Sequence, residues 1–151
     1  MKRREILSVM SVGAAGLIAG ASEAHAHHPH HHDKVHGDCL HACNDCAIVC
    51  NETYHYCFDH IKDGHPEHSK AAQLAMDCQE FCKLSAELMA RESPMMGMAC
   101  SACADACKLC AEECAKHNDP QMKECEEACK ACEKSCREMA EHMKGHQHHT
   151  D

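Results

Sequence analysis

Sixteen cysteines stand among 151 residues, and their spacing is regular. They step by three and four along the chain: Cys39, Cys43, Cys46 and Cys50, with Cys57 beyond; Cys78 and Cys82; Cys100, Cys103, Cys107, Cys110 and Cys114; Cys125, Cys129, Cys132 and Cys136. This is the a and d rhythm of a helical heptad, so each ladder places its sulfurs on one helix face. Such a face offers three chemistries: disulfide closure, a structural zinc or iron–sulfur site, or binding of soft monovalent cations.

Disulfides between sulfurs one turn apart would close loops of a few residues and stabilise little, although cross-helix pairs could staple a bundle. The C-x-x-C pairs Cys43/Cys46, Cys100/Cys103, Cys107/Cys110 and Cys129/Cys132 each match a common metal or redox spacing. Zinc fingers set such pairs on turns, however, and here they lie inside longer ladders with no single site. Thiolate and thioether donors select copper(I), which accepts few ligands and needs no closed tetrahedron. One monovalent cation per thiolate also cancels a buried charge that would otherwise be very costly. This chemistry points to many copper(I) ions per chain, on the order of one per cysteine.

The elements that position these ladders are marked by Pro near three helix starts: Gly64-His65-Pro66, Ser93-Pro94 and Asp119-Pro120. They predict four helices, over 38–63, 66–92, 94–117 and 120–144, rich in good helix formers. Short connections make neighbours antiparallel, so the expected fold is all-α, an up-down four-helix bundle. The inward seams read His36, Cys39, Cys43, Cys46, Cys50, Thr53, Cys57, His60; Ala71, Ala75, Cys78, Cys82, Ser85, Met89; Met96, Cys100 to Cys114, His117; and Met122, Cys125 to Cys136, Met139, Met143. Thiols and thioethers occupy the places where a bundle normally carries Leu and Ile.

Composition agrees. Past residue 26 the chain has all sixteen cysteines but only eleven Leu, Ile, Val and Phe together, a level at which chains without another core are disordered. A net charge of −9 disfavours nucleic acid and anionic membrane and suits cations. Residues 1–26 read as an export signal, with Lys2, Arg3 and Arg4, an apolar run from Ile6 to Ala21, and an Ala24-His25-Ala26 cleavage site. Arg3-Arg4 fits the twin-arginine pattern, which would deliver a folded, metallated protein to the periplasm; an ordinary secretory signal is the alternative. Beyond this segment no apolar run reaches the roughly 20 residues of a membrane span. Histidine-rich stretches, 27–37 and 145–151, are expected to be mobile tails flanking a binding domain over 38–144.

In an up-down bundle one end gathers His36, Met89, Met95, Met96, Met98, Met139, Met143 and both tails, and the looser Met and His donors make it the expected copper entrance. The opposite end holds a thinner set: His60, His65, His68, His117 and Met122. Candidate metal ligands are therefore the sixteen cysteines, supplemented by His36, Met89, Met96, Met98, His117, Met122, Met139 and Met143.

The ladders over residues 36–144 resemble the bacterial copper storage proteins, cysteine-lined four-helix bundles, and the leader Lys2 to Ala26 resembles that of the exported branch. The resemblance implies a homotetramer that stores copper(I) for copper enzymes, limits copper toxicity and has no catalytic role. Thr53 and Ser85 interrupt the seams, and the histidine tails are not part of the family pattern. Two readings compete from other classes: a disulfide-stapled or thiol-redox protein, and a zinc or nickel scavenger working through the tails.

Overall fold

The computed structural model describes residues 33–147; the export segment, the histidines of 27–32 and those of 148–149 lie outside them. Four helices appear in chain order: α1 (Lys34–Lys62), α2 (Ser69–Ala90), α3 (Met96–Cys114) and α4 (Pro120–Gln147). Each packs on two neighbours, α1 against α2 and α4, and α3 against α2 and α4, which closes a ring around one core. The predicted all-α bundle is the observed one.

Helix boundaries differ from the prediction where capping decides them. Asp33 accepts a hydrogen bond from the His36 amide at 2.9 Å, so α1 starts at Lys34, inside the stretch expected to be a mobile tail. α1 ends where Gly64 takes φ 96°, and the His65 amide reaches back to the His60 carbonyl at 2.9 Å; only glycine adopts this turn without strain. Pro66 opens a single 3₁₀ turn, Pro66–His68, rather than α2 itself. The Ser93-Pro94 signal likewise precedes a turn, and α3 begins at Met96. α4 begins at Pro120 as predicted and runs three residues past the expected end.

The core is made of Cys, Ala and Met. Among the described residues no Leu, Ile, Val or Phe is buried, while Met89, Met122 and Met139 are. Alanines such as Ala71, Ala75 and Ala104, each fully buried, let the helices approach closely. At Gly97 α3 comes close to α4, where an added Cβ would lie 2.9 Å from the Met143 Cβ. Outer faces carry one-turn ion pairs such as Lys34–Asp38 and Lys130–Glu126, each of small energetic weight. No described helix is long and apolar enough to cross a membrane.

Candidate metal centre

Every cysteine is a free thiol, and none exceeds 1% exposure. The period of three and four explains this: each ladder lies on the stripe that its helix turns toward the other three. Cross-helix sulfur distances then form a continuous column. Cys43 and Cys136 lie 3.4 Å apart, Cys39 and Cys136 3.7 Å, Cys43 and Cys132 3.8 Å. Further along, Cys82 lies 3.6 Å from Cys103 and Cys78 3.5 Å from Cys107. Cys129 meets Cys46 and Cys50 at 3.7 Å each, and Cys110 meets Cys125 at 3.9 Å.

Foursomes such as Cys43/Cys103/Cys132/Cys136, Cys82/Cys103/Cys107/Cys132 and Cys50/Cys110/Cys125/Cys129 hold their sulfurs within 4.8 Å of one another, close enough to share an ion. Successive foursomes overlap: Cys46, Cys50, Cys78, Cys82, Cys103, Cys107, Cys129 and Cys132 each belong to at least two. No boundary separates one site from the next.

Without a cation such a column shares its protons. Cys82, Cys129 and Cys136 are held far above the ordinary thiol range by neighbouring sulfurs, Cys103, Cys107 and Cys100 foremost, and burial adds to it. Cys46 and Cys78 are lowered, foremost by the neighbouring Cys107 sulfur. Cys57 stands apart from the ladders, and burial pushes its thiol up to about 11.

Both ends of the column give way to neutral donors. At one end the Met89 thioether lies 3.8 Å from Cys100, Met139 is buried beside the column, and His36 is 5% exposed. The His36 Nε2 pairs with the Met89 carbonyl oxygen at 3.1 Å, which places this histidine inside the bundle. Met96 and Met143 are half-buried, whereas Met95 and Met98 are 50% and 67% exposed and lie off the seam. At the other end the Met122 thioether lies 3.7 Å from Cys57 and His117 is half-buried.

That second end holds the histidines expected there, and the structure packs their rings together. His68 is 4% exposed, and the rings of His60 and His117 lie 5.0 and 4.7 Å from its own. The sequence places His68 at this end, in the first turn of the helix expected from residue 66, but not among the candidate ligands, because its burial comes from packing and not from periodicity. Glu113 was also missed: it is nearly buried on α3 and binds Lys116 at 2.6 Å and Lys70 of α2 at 3.0 Å. The Lys116 ammonium, first among the causes, holds its carboxyl below the usual range. Of the seam interruptions, Thr53 donates to the Val49 carbonyl at 2.8 Å and accepts from Gln121 at 3.1 Å, while the buried Ser85 hydroxyl has no partner.

Residues 31–141 match the family model for copper storage protein. Among solved structures, apo copper storage protein 3 from Bacillus subtilis is 35% identical, with TM-score 0.62 over 69% of this chain and 97% of that one. Cu(I)-bound BsCsp3 is 32% identical, with TM-score 0.64 over 71% and 99%. The copper storage protein Ccsp from Streptomyces lividans, loaded with 10 copper equivalents, is 26% identical, with TM-score 0.65 over 71% and 84%. No curated protein sequence matches the chain significantly.

Proposed function

This chain belongs to the copper storage protein family, and from that premise we propose that its core stores copper(I) at high capacity on the thiolates of all sixteen cysteines. The observation that carries the reading is the unbroken column of buried free thiols, with cross-helix sulfur distances of 3.4 Å upward. Thiolate donors favour copper(I) over harder ions. Charge points the same way. Sixteen thiolates divided into tetrahedral zinc sites would hold four divalent ions and leave half of the buried negative charge uncompensated. One copper(I) per sulfur leaves none. Overlapping foursomes also suit ions that share bridging sulfurs better than separate sites that each own four.

Met89, Met96, Met139, Met143 and His36 at one end, with Met122 at the other, supply neutral donors. Copper there is held more loosely than in the thiolate middle, and exchange proceeds through the ends. The same reading gives the protein a storage and detoxifying role with no catalytic residues. Anaerobic titration of the reduced protein with copper(I) against a competing chelator, with thiols counted in parallel, tests it. An endpoint near one copper per cysteine is expected; an endpoint of one to four overturns storage.

The leader Lys2 to Ala26 supports export to the periplasm by the twin-arginine route, on sequence alone; the Streptomyces lividans neighbour is described as cytosolic. Fractionation of cells with native and Arg3→Lys/Arg4→Lys leaders decides it. Exposed Ile48, Phe58, Phe81, Leu84 and Leu109 are large apolar side chains for the interfaces of the homotetramer this reading expects. Sedimentation of the loaded protein measures that.

A further inference from the structure

Outside the sulfur column, four imidazoles gather where α1 ends, α2 and α4 begin, and α3 ends. Ring centroids run from His65 to His60 at 5.9 Å, from His60 to His68 at 5.0 Å and from His68 to His117 at 4.7 Å. Imidazoles bound to one tetrahedral ion at about 2.0–2.1 Å have ring centroids about 5 Å apart.

The His68 and His117 rings are stacked at 22°, and hydrogen bonds orient two of the others. The Nδ1 of His60 is taken by the Tyr56 carbonyl oxygen at 3.0 Å and that of His65 by Glu67 at 3.1 Å. The Nδ1 of His68 faces the Cys57 sulfur at 4.0 Å. In His60, His65 and His68 the contact falls on Nδ1, which turns Nε2 toward a ligand, the arrangement that outer partners impose on metal-binding histidines. The charge is that of a different cargo. Glu67 pairs with His65 and the Asp119 carboxylate acts on His68 and His117, so the imidazoles face two carboxylates. Such a set balances a divalent cation, just as one thiolate balances one copper(I), and imidazole suits zinc and other borderline ions that thiolate-rich copper sites do not need.

We propose that His60, His65, His68 and His117 form a separate site for a single divalent borderline cation, zinc being the probe of choice, supported by Glu67 and Asp119. In this assignment His117 serves the imidazole cluster rather than the sulfur column. The site is independent of the storage reading.

The test uses the full chain and a His60→Ala/His117→Ala variant, both saturated with copper(I), the endpoint being recorded first. Zinc(II) is then added and the amount retained after gel filtration in a chelator buffer is measured. Zinc on the histidine tails is common to both proteins and cancels. One more zinc equivalent in the native chain, at an unchanged copper(I) endpoint, is expected. Glu67→Gln, which leaves all four imidazoles in place, should weaken zinc binding by at least about tenfold. Equal zinc in native and double-variant proteins overturns the site, and so does loss of a copper(I) equivalent in its place. A low copper(I) endpoint in the native chain would instead overturn storage, and the zinc difference is read the same way at that endpoint.

Discussion

Cys43 of α1 and Cys136 of α4 bring their sulfur atoms to 3.4 Å across the bundle, although 93 residues separate them in sequence. Both also belong to one foursome with Cys103 and Cys132. Cys43→Ser and Cys136→Ser should each lower the copper(I) endpoint by about one equivalent while helical circular dichroism is unchanged. An unaltered endpoint in both would show that these sulfurs hold no metal.

Loading should stiffen the molecule, because its core is its binding site and binding free energy becomes folding free energy. A site filled at a thousandfold excess over its Kd contributes about 4 kcal/mol. The thermal midpoint of the copper-loaded protein should therefore lie well above that of the reduced apo protein. Coincident midpoints in calorimetry would contradict a metal-dependent core.

Alkali should weaken the apo form. The Cys57 thiol, 9.0 in its ordinary state, is pushed by burial to about 11. As pH rises the unfolded chain releases this proton first, so between 9 and 11 the folded state holds more protons and stability falls through that window. Apo melts at stepped pH should show the decline, smaller in Cys57→Ser. Metal-loaded protein, with its thiolates already neutralised, should show none. Loading itself displaces protons, so apparent copper affinity should rise with pH.

Two glycines of helical segments should respond in opposite ways to alanine. Gly37 has no atom within 4 Å of an added Cβ, so Gly37→Ala should stabilise α1 by about 0.5–1 kcal/mol. At Gly97 the same Cβ would sit 2.9 Å from that of Met143. Gly97→Ala must push α3 and α4 apart there, at a cost of about 1–3 kcal/mol. Chemical denaturation of the two variants measures both signs.

Thioether replacement separates packing from ligation. Met89→Leu and Met122→Leu conserve volume and should cost less than about 1.5 kcal/mol in the apo protein. Because Met89 lies 3.8 Å from Cys100 and Met122 3.7 Å from Cys57, each change should still hasten copper transfer to an external chelator. Unchanged transfer rates would reduce these methionines to filler.

The bundle and its lining were legible because a strict spacing admits one arrangement. Had the ladder from Cys100 to Cys114 faced water, no other stripe of α3 would have supplied a core. Features made by distant parts of the chain were not legible. Asp33 extends α1 backwards because its side chain meets the His36 amide, and the partner of the inward His36, the Met89 carbonyl, arrives from the end of α2. His68 sits in a turn of polar residues, and nothing local indicates that rings from α1 and the end of α3 will enclose it. Glu113 looked like one more surface acid until Lys70 arrived from α2. Periodicity reports which face turns inward; it does not report which neighbours wait there.

The overlap of the foursomes has one more consequence. Cys129 lies within reach of sulfurs from α1, α2 and α4, so an ion bound at any one level changes the ligands left for the next. Occupancy along the tube is thus correlated, like seats along a bench rather than separate drawers. Cargo can advance by swapping one sulfur at a time without leaving the interior.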